Sequence, residues 1–348
     1  MLATLRDERT FMSTRGRLRA VLVILALVIG VVSPAGLPGA VAAVQSDVTQ
    51  PAQPASGPGG RDYRFHAVER RYVGEAPAGA YVFTPAGAKE DLAQLPLVIF
   101  VHGFSAVDPA LYGGWIEHLV RRGAIVVYPE YQAVSPLVGA PGAYLGDMMA
   151  GIREGLLTLT LRDDASVVVV GHSLGGSLAV NYAALAGGAG FPEPDVLMAV
   201  EPGGCRNCGS DTGIGVALPT ASVFPKDLSV SVVVGNDDTL VGEAAARTIW
   251  GLMAEKAAQQ KAYVRIMTDR HGTPPLVADH QIPLTRSPGT LNALDWNGTW
   301  RLLDLQMMCA EGDAPCDSVF GSDEVGPMGV WSDGQPVRAL ELEAPPER

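Results

Sequence analysis

The 348-residue chain predicts an α/β protein whose mostly parallel sheet carries helices on both faces. Two observations carry that expectation. Short apolar, β-branched runs alternate with longer amphipathic stretches along most of the chain, the pattern of strand–helix–strand crossovers. One of these runs, Val167-Val168-Val169-Val170, passes straight into Gly171-His172-Ser173-Leu174-Gly175-Gly176 and then into a small-residue helical stretch, which places a serine on a strand-to-helix turn.

The chain opens with Arg6, Arg9, Arg15, Arg17 and Arg19, followed by the apolar run 20–32 and an A-x-A site at Ala40-Val41-Ala42. A positive flank, a short apolar core and a small-residue site describe a secretory signal peptide over 1–42, with Met12 an alternative start. The apolar run is shorter than a spanning helix needs, so no stable membrane insertion is expected after cleavage, an uncleaved anchor being the alternative. Residues 43–62 are rich in Pro, Gly, Ser and Gln and read as a flexible tether. The catalytic domain is expected over 63–348.

Runs at 80–83, 97–101, 124–128, 196–200 and 230–235 read as further strands, and the more alternating 262–267 as a strand near an edge. Helical stretches are expected near 112–122, 144–161, 174–187, 243–260 and 291–308. In such a sheet the site lies at the C-terminal ends of the strands. The acidic 309–348 has turn chemistry without a helical or strand period and reads as a wrapped extension; it lacks the spacing of a calcium loop.

The formal net charge is −12, and because 1–42 holds five Arg against Asp7 and Glu8, it falls to −15 without that segment. So acidic a chain, with no basic stripe, argues against a nucleic-acid partner. The four cysteines, Cys205, Cys208, Cys309 and Cys316, read as disulfides in an exported protein, with local pairing 205–208 and 309–316 the simplest arrangement. Zinc binding by the same four is the rival, weakened by the six-residue gap in the second pair.

Acyl transfer needs a nucleophile, a base, an acid to orient the base and donors for the oxyanion. Ser173 is the candidate nucleophile. The run 97–101 ends in His102-Gly103-Phe104, a turn that frees backbone N–H groups, so the Phe104 and Leu174 amides are the candidate oxyanion pair. His102 is expected to be a buried structural histidine, and His66 and His118 to have surface or packing roles.

"VHGF", "GHSLGG", "GNDD" after a later strand and a late histidine, in that order, resemble an α/β-hydrolase of the secreted lipase, esterase and cutinase type over most of 63–308. The resemblance implies a Ser, acid, His order. It selects Asp238, three residues past Gly235, over Asp237 as the acid. For the base it favours His271, in the loop just past the last strand, with His280, followed by Gln281-Ile282-Pro283, as the alternative. It implies a small-molecule or lipid ester substrate and no metal or organic cofactor.

The loop 201–227 is expected to overhang the serine, and 133–144 to add an apolar rim near Tyr131. Trp115, Trp250 and Trp331 suit either core or substrate contact. The reading is an exported serine hydrolase of carboxylic esters acting through an acyl-enzyme. A peptidase, amidase or acyltransferase on the same triad and a catalytically silent secreted binding protein are the alternatives.

Overall fold

The computed structural model describes residues 47–88, 92–132, 141–209, 214–219, 224–320 and 325–343. The expected signal peptide, the first part of the tether, the rim 133–140, and 210–213 and 220–223 of the overhanging loop lie outside them.

Nine strands form one sheet: β1 (Val68–Val73), β2 (Ala80–Pro85), β3 (Leu97–Val101), β4 (Ile125–Pro129), β5 (Val167–His172), β6 (Val196–Val200), β7 (Ser229–Gly235), β8 (Lys261–Ile266) and β9 (Glu341–Glu343). Their spatial order is β1-β2-β4-β3-β5-β6-β7-β8-β9. The strands from β4 to β8 run parallel, while β1, β2 and β9 join antiparallel. Both antiparallel ends went unread in the sequence for one reason. Edge strands are held by backbone pairing with their side chains in water, so β1, with Glu69, Arg70 and Arg71 exposed, and β9, with Glu341 exposed, carry no apolar period. The β8 run, expected near an edge, is second from it.

The helices are α1 (Gly113–Arg122), α2 (Tyr144–Leu156), α3 (Leu174–Leu185), α4 (Ala244–Leu252), α5 (Trp300–Glu311) and the short α6 (Asp317–Phe320). Three are shorter than their apolar patterns suggest: α2 stops at Leu156, α4 stops at Leu252, and α5 begins only after a π-helical turn at Asp295–Thr299.

The period of two in the strands decides which helices cover which face. Leu97, Ile99 and Val101 of β3 point into a core completed by Met148 and Ile152 of α2, Leu178 of α3 and Ile249 of α4. Val98 and Phe100 point the other way, against Trp115 and Leu119 of α1 and Trp300 and Leu303 of α5. Trp115, Trp250 and Trp331 are all buried and belong to these cores. Cys205 pairs with Cys208 and Cys309 with Cys316, as the local arrangement predicts.

Residues 47–62, read as a tether, are instead fixed to the body. The Thr49 N–H donates to Ser332 Oγ at 2.9 Å and the Thr273 N–H to the Val48 carbonyl at 2.9 Å. The Gly59 N–H donates to Asp304 Oδ2 at 2.7 Å, the carboxylate that also meets buried His118 Nε2 at 3.0 Å. A segment without a core of its own is thus satisfied through its backbone, which composition does not reveal.

Helix α3 reaches the sheet closely because two glycines remove side chains at its start. A Cβ on Gly175 would fall inside the backbone carbonyls of Val101 and His102, and one on Gly171 inside the Gly175 carbonyl. Backbone cannot yield as a side chain can. Gly175→Ala is therefore expected to cost about 3 kcal/mol or more in urea unfolding, while Gly146→Ala, exposed in α2 with open space at its Cβ, should be neutral or add up to about 1 kcal/mol.

His102, at the end of β3, stacks on the Tyr131 ring at 4.1 Å between centroids, and burial pushes its pKa from 6.5 to about 4. Between these values the unfolded chain binds a proton that the folded protein refuses, so stability falls as pH drops from 6.5 towards 4. At about 1.4 kcal/mol per unit the loss approaches roughly 3 kcal/mol. Denaturant titrations at pH 7 and pH 4 should show a smaller acid loss in a folded His102→Gln variant than in the parent; equal losses would refute the assignment.

Candidate active site

The Val167–Val170 run buries β5 at the middle of the sheet, and the chain must turn sharply to start α3 above it. Ser173 sits on that turn with φ 56° and ψ −124°, a conformation that costs a non-glycine residue energy and is held by its surroundings. The holding bonds are visible: the Ser173 N–H donates to the Val200 carbonyl at 3.0 Å, and the Ser173 carbonyl accepts from Gly203 N–H at 2.9 Å. The hydroxyl is left facing the cleft.

His280 Nε2 lies 2.9 Å from Ser173 Oγ, and His280 Nδ1 lies 2.7 Å from Asp238 Oδ2. Facing a carboxylate, Nδ1 carries the hydrogen and Nε2 presents its lone pair to the serine hydroxyl. The other oxygen of Asp238 accepts the N–H groups of Leu240 and Val241 at 2.9 and 3.1 Å, which fixes the carboxylate plane.

The structure does not bring His271, the preferred histidine, to the serine. Its Nε2 meets Asp333 Oδ2 at 2.8 Å on the exposed outer side. The cause is a loop that doubles back after β8. Asp269 and Leu276 exchange backbone hydrogen bonds at 2.8 Å each way, leaving His271 within the excursion. Trp331 of the C-terminal extension pins that excursion through its Nε1 on Asp269 Oδ2 at 3.0 Å. The returning chain is then tied between strands: Ala278 N–H donates to Thr268 Oγ1 and Asp237 N–H to the Ala278 carbonyl, both at 2.9 Å. Those bonds deliver His280. Asp237 faces outward and pairs with Arg270 at 2.7 Å.

Beneath the triple lies a buried polar layer that sequence reasoning missed. His172 Nε2 donates to the His280 carbonyl at 3.1 Å, and its Nδ1 accepts from Tyr112 Oη at 2.8 Å. Tyr112 Oη in turn accepts the Gly103 N–H at 2.9 Å. Burial holds the His172 pKa well below 6.5, so the ring is neutral and its two roles are fixed. Glu201, just past β6 with φ 45°, is fully buried, with Oε2 3.6 Å from His172 Nε2 and 3.9 Å from His280 Nδ1. These three side chains are close enough to suggest a metal site. Both nitrogens, however, donate to oxygen acceptors and offer no free lone pair.

The turn after β3 is clamped from β4. Tyr131 Oη donates to the His102 carbonyl at 2.5 Å, Tyr128 Oη to the Ala106 carbonyl, and Gln132 Oε1 accepts the Ser105 N–H at 2.8 Å, holding Ser105 at φ 64°. The N–H groups of Gly103, Ser105 and Ala106 donate to Tyr112 Oη, Gln132 Oε1 and the Gly103 carbonyl, and among the described residues the Phe104 N–H meets no acceptor. The Leu174 N–H belongs to the first turn of α3, where no intrahelical acceptor exists.

Phe104, Leu174, Ser173 and His280 open onto one cleft of about 440 Å³, walled by side chains that include Leu111, Ile214, Leu240, Val241 and Leu284. Among the described residues, no Lys or Arg lines it.

No protein-family model and no curated protein matches the sequence. Among solved structures, the chain is similar to carboxyl esterase 2 from the fungus Tuber melanosporum at 21% identity, with 70% of this chain and 86% of that one covered and a TM-score of 0.47. A tributyrin-phosphonate-inhibited esterase B from Lactobacillus rhamnosus is similar at 17% identity, with 73% and 92% covered and a TM-score of 0.47. A dienelactone hydrolase from Klebsiella pneumoniae matches at 16% identity, 58% and 85% covered, with a TM-score of 0.40. The sheet order, the serine turn after β5, and the acid and histidine after β7 and β8 give this chain the α/β-hydrolase fold.

Proposed function

We propose that the protein is an exported serine hydrolase of neutral carboxylic esters, working through an acyl-enzyme. The observation that carries this reading is the hydrogen-bonded line Ser173 Oγ, His280, Asp238 opening onto an apolar cleft. Ser173 Oγ attacks the ester carbonyl while His280 Nε2 takes its proton; Asp238 holds the tautomer and stabilises the imidazolium that forms. The Phe104 and Leu174 amides receive the oxyanion, and His280 returns the proton to the leaving alcohol. Water then enters by the same route and frees the serine.

The apolar walls, with no Lys or Arg among the described lining residues, suit an uncharged acyl group, such as that of a small-molecule or lipid ester. Export is supported by the arginine-flanked apolar segment of 1–42 and by the two disulfides.

Hydrolysis of p-nitrophenyl butyrate tests the assignment. Ser173→Ala and His280→Ala should each lose on the order of 10⁵–10⁶ in kcat, because the two act as a unit. His271→Ala should stay within about threefold of the parent, since the ring lies outside the cleft. Collapse of activity in His271→Ala with a competent His280→Ala would reverse the choice of base.

Substrate class is checked separately with matched esters and anilides. Cleavage of the esters with no turnover of the anilides is expected; turnover confined to anilides would favour an amidase. Ile214→Trp should raise KM for a p-nitrophenyl octanoate about tenfold more than for the acetate, in line with the 1–3 kcal/mol that pocket-filling changes produce.

A further inference from the structure

Glu201 is a costly residue with no part in the steps above. It is a carboxyl with no exposed surface, its backbone lies in the left-handed region, and neither oxygen makes a hydrogen bond among the described residues. A buried unpaired carboxyl is normally eliminated or neutralised by pairing. Its placement shows what keeps it. The end of β6 aims it between two imidazoles, and its Oε2 stands 3.9 Å from the same His280 Nδ1 that Asp238 holds at 2.7 Å. About 1 Å of side-chain movement would make it a hydrogen-bond partner of that nitrogen.

We propose that Glu201 is a second acid for His280: a positioning residue that shares a single negative charge with Asp238 and takes over the imidazole when Asp238 is removed. This rests on the serine-hydrolase reading above.

Two like charges facing one nitrogen, one of them on a fully buried carboxyl, cannot both persist, so one of the carboxyls holds a proton. Asp238 accepts two backbone N–H groups as well as Nδ1, whereas Glu201 accepts none, so the charge belongs on Asp238. The groups facing Glu201 agree. Burial raises its carboxyl well above the usual range, and the charges of Asp238 and Asp279 raise it further. The Gly235 N–H faces it too loosely to count as a hydrogen bond and opposes the shift. His172 beside it is neutral and lends no charge. Tyr112, behind His172, is held protonated by its own burial. Deleting the Asp238 charge removes a cause of the neutral state and opens space beside Nδ1, and Glu201 then releases its proton to solvent and pairs with the imidazole.

The experiment is a four-protein cycle on p-nitrophenyl butyrate: parent, Asp238→Ala, Glu201→Gln and both together, with kcat measured from pH 5 to pH 10 and near-UV circular dichroism reporting the fold. Asp238→Ala should lose about 10²–10³ in kcat, less than the ~10⁴ recorded where a triad aspartate has no understudy. Its rate should climb with pH along a titration that parent and double variant lack. Glu201→Gln alone should cost about threefold, and adding it to Asp238→Ala should remove a further factor of at least ~30. A purely structural glutamate would not create a new pH limb in the Asp238→Ala background.

Equal rates and equal pH profiles for Asp238→Ala and the double variant would overturn the proposal. So would a Glu201→Gln loss as large as that of Asp238→Ala. If Asp238→Ala does not fold, Asp238→Ser takes its place in the cycle. Failure of the underlying reading looks different: Ser173→Ala would then retain the parent's rate, and a fluorophosphonate would not label Ser173.

Discussion

The close approach of α3 to the sheet is the constraint on which the rest of the site depends. Only glycine at positions 171 and 175 lets the helix start directly above β5 with its backbone against the carbonyls of Val101 and His102. That contact forces Ser173 into its positive-φ turn, aims the first-turn amides at the cleft and brings the turn after β3 alongside. One steric condition thus places the candidate nucleophile and both candidate oxyanion donors. The valine run matters because it makes the support rigid: β5 is buried along its whole length between β3 and β6.

A second level of order comes from polar groups buried under the reacting ones. Tyr112, His172 and the His280 carbonyl form a line of hydrogen bonds from the turn after β3 to His280, so the two sides of the cleft are positioned relative to each other rather than separately. Tyr128 of β4, with Tyr131 and Gln132 just past its end, clamps the same turn. Such layers are expensive unless every group finds a partner, and nearly all of these do. Among the described residues Glu201 stands apart as the buried carboxyl with neither oxygen hydrogen-bonded, in a place where a charge bears on His280.

Two segments that flank the sheet in sequence serve as braces. The irregular 47–62 segment and the C-terminal extension meet at Thr49 and Ser332, and both press on the loop after β8, through Val48 on Thr273 and through Trp331 on Asp269. With its outer part held there, the loop's return is free to place His280 in the cleft.

The sequence by itself determined the layered α/β class, the serine on its strand-to-helix turn and both disulfides, which rest on local features: β-branched runs, glycines at fixed offsets and cysteines close in the chain. The choice of Asp238 came from the family resemblance, and folding sets that carboxylate beside His280. Tertiary structure decided the rest. On paper His271 was favoured over His280, and only the Asp269–Leu276 pairing and the bonds at Ala278 show that the His280 ring is the one that reaches Ser173. The edge strands β1 and β9 were illegible because backbone pairing leaves no apolar period, and the ordered 47–62 segment because its fixing bonds come from residues hundreds of positions away. Glu201 was illegible for the same reason: a glutamate after a strand has no character in sequence until folding closes β5, β7 and the His280 loop around it.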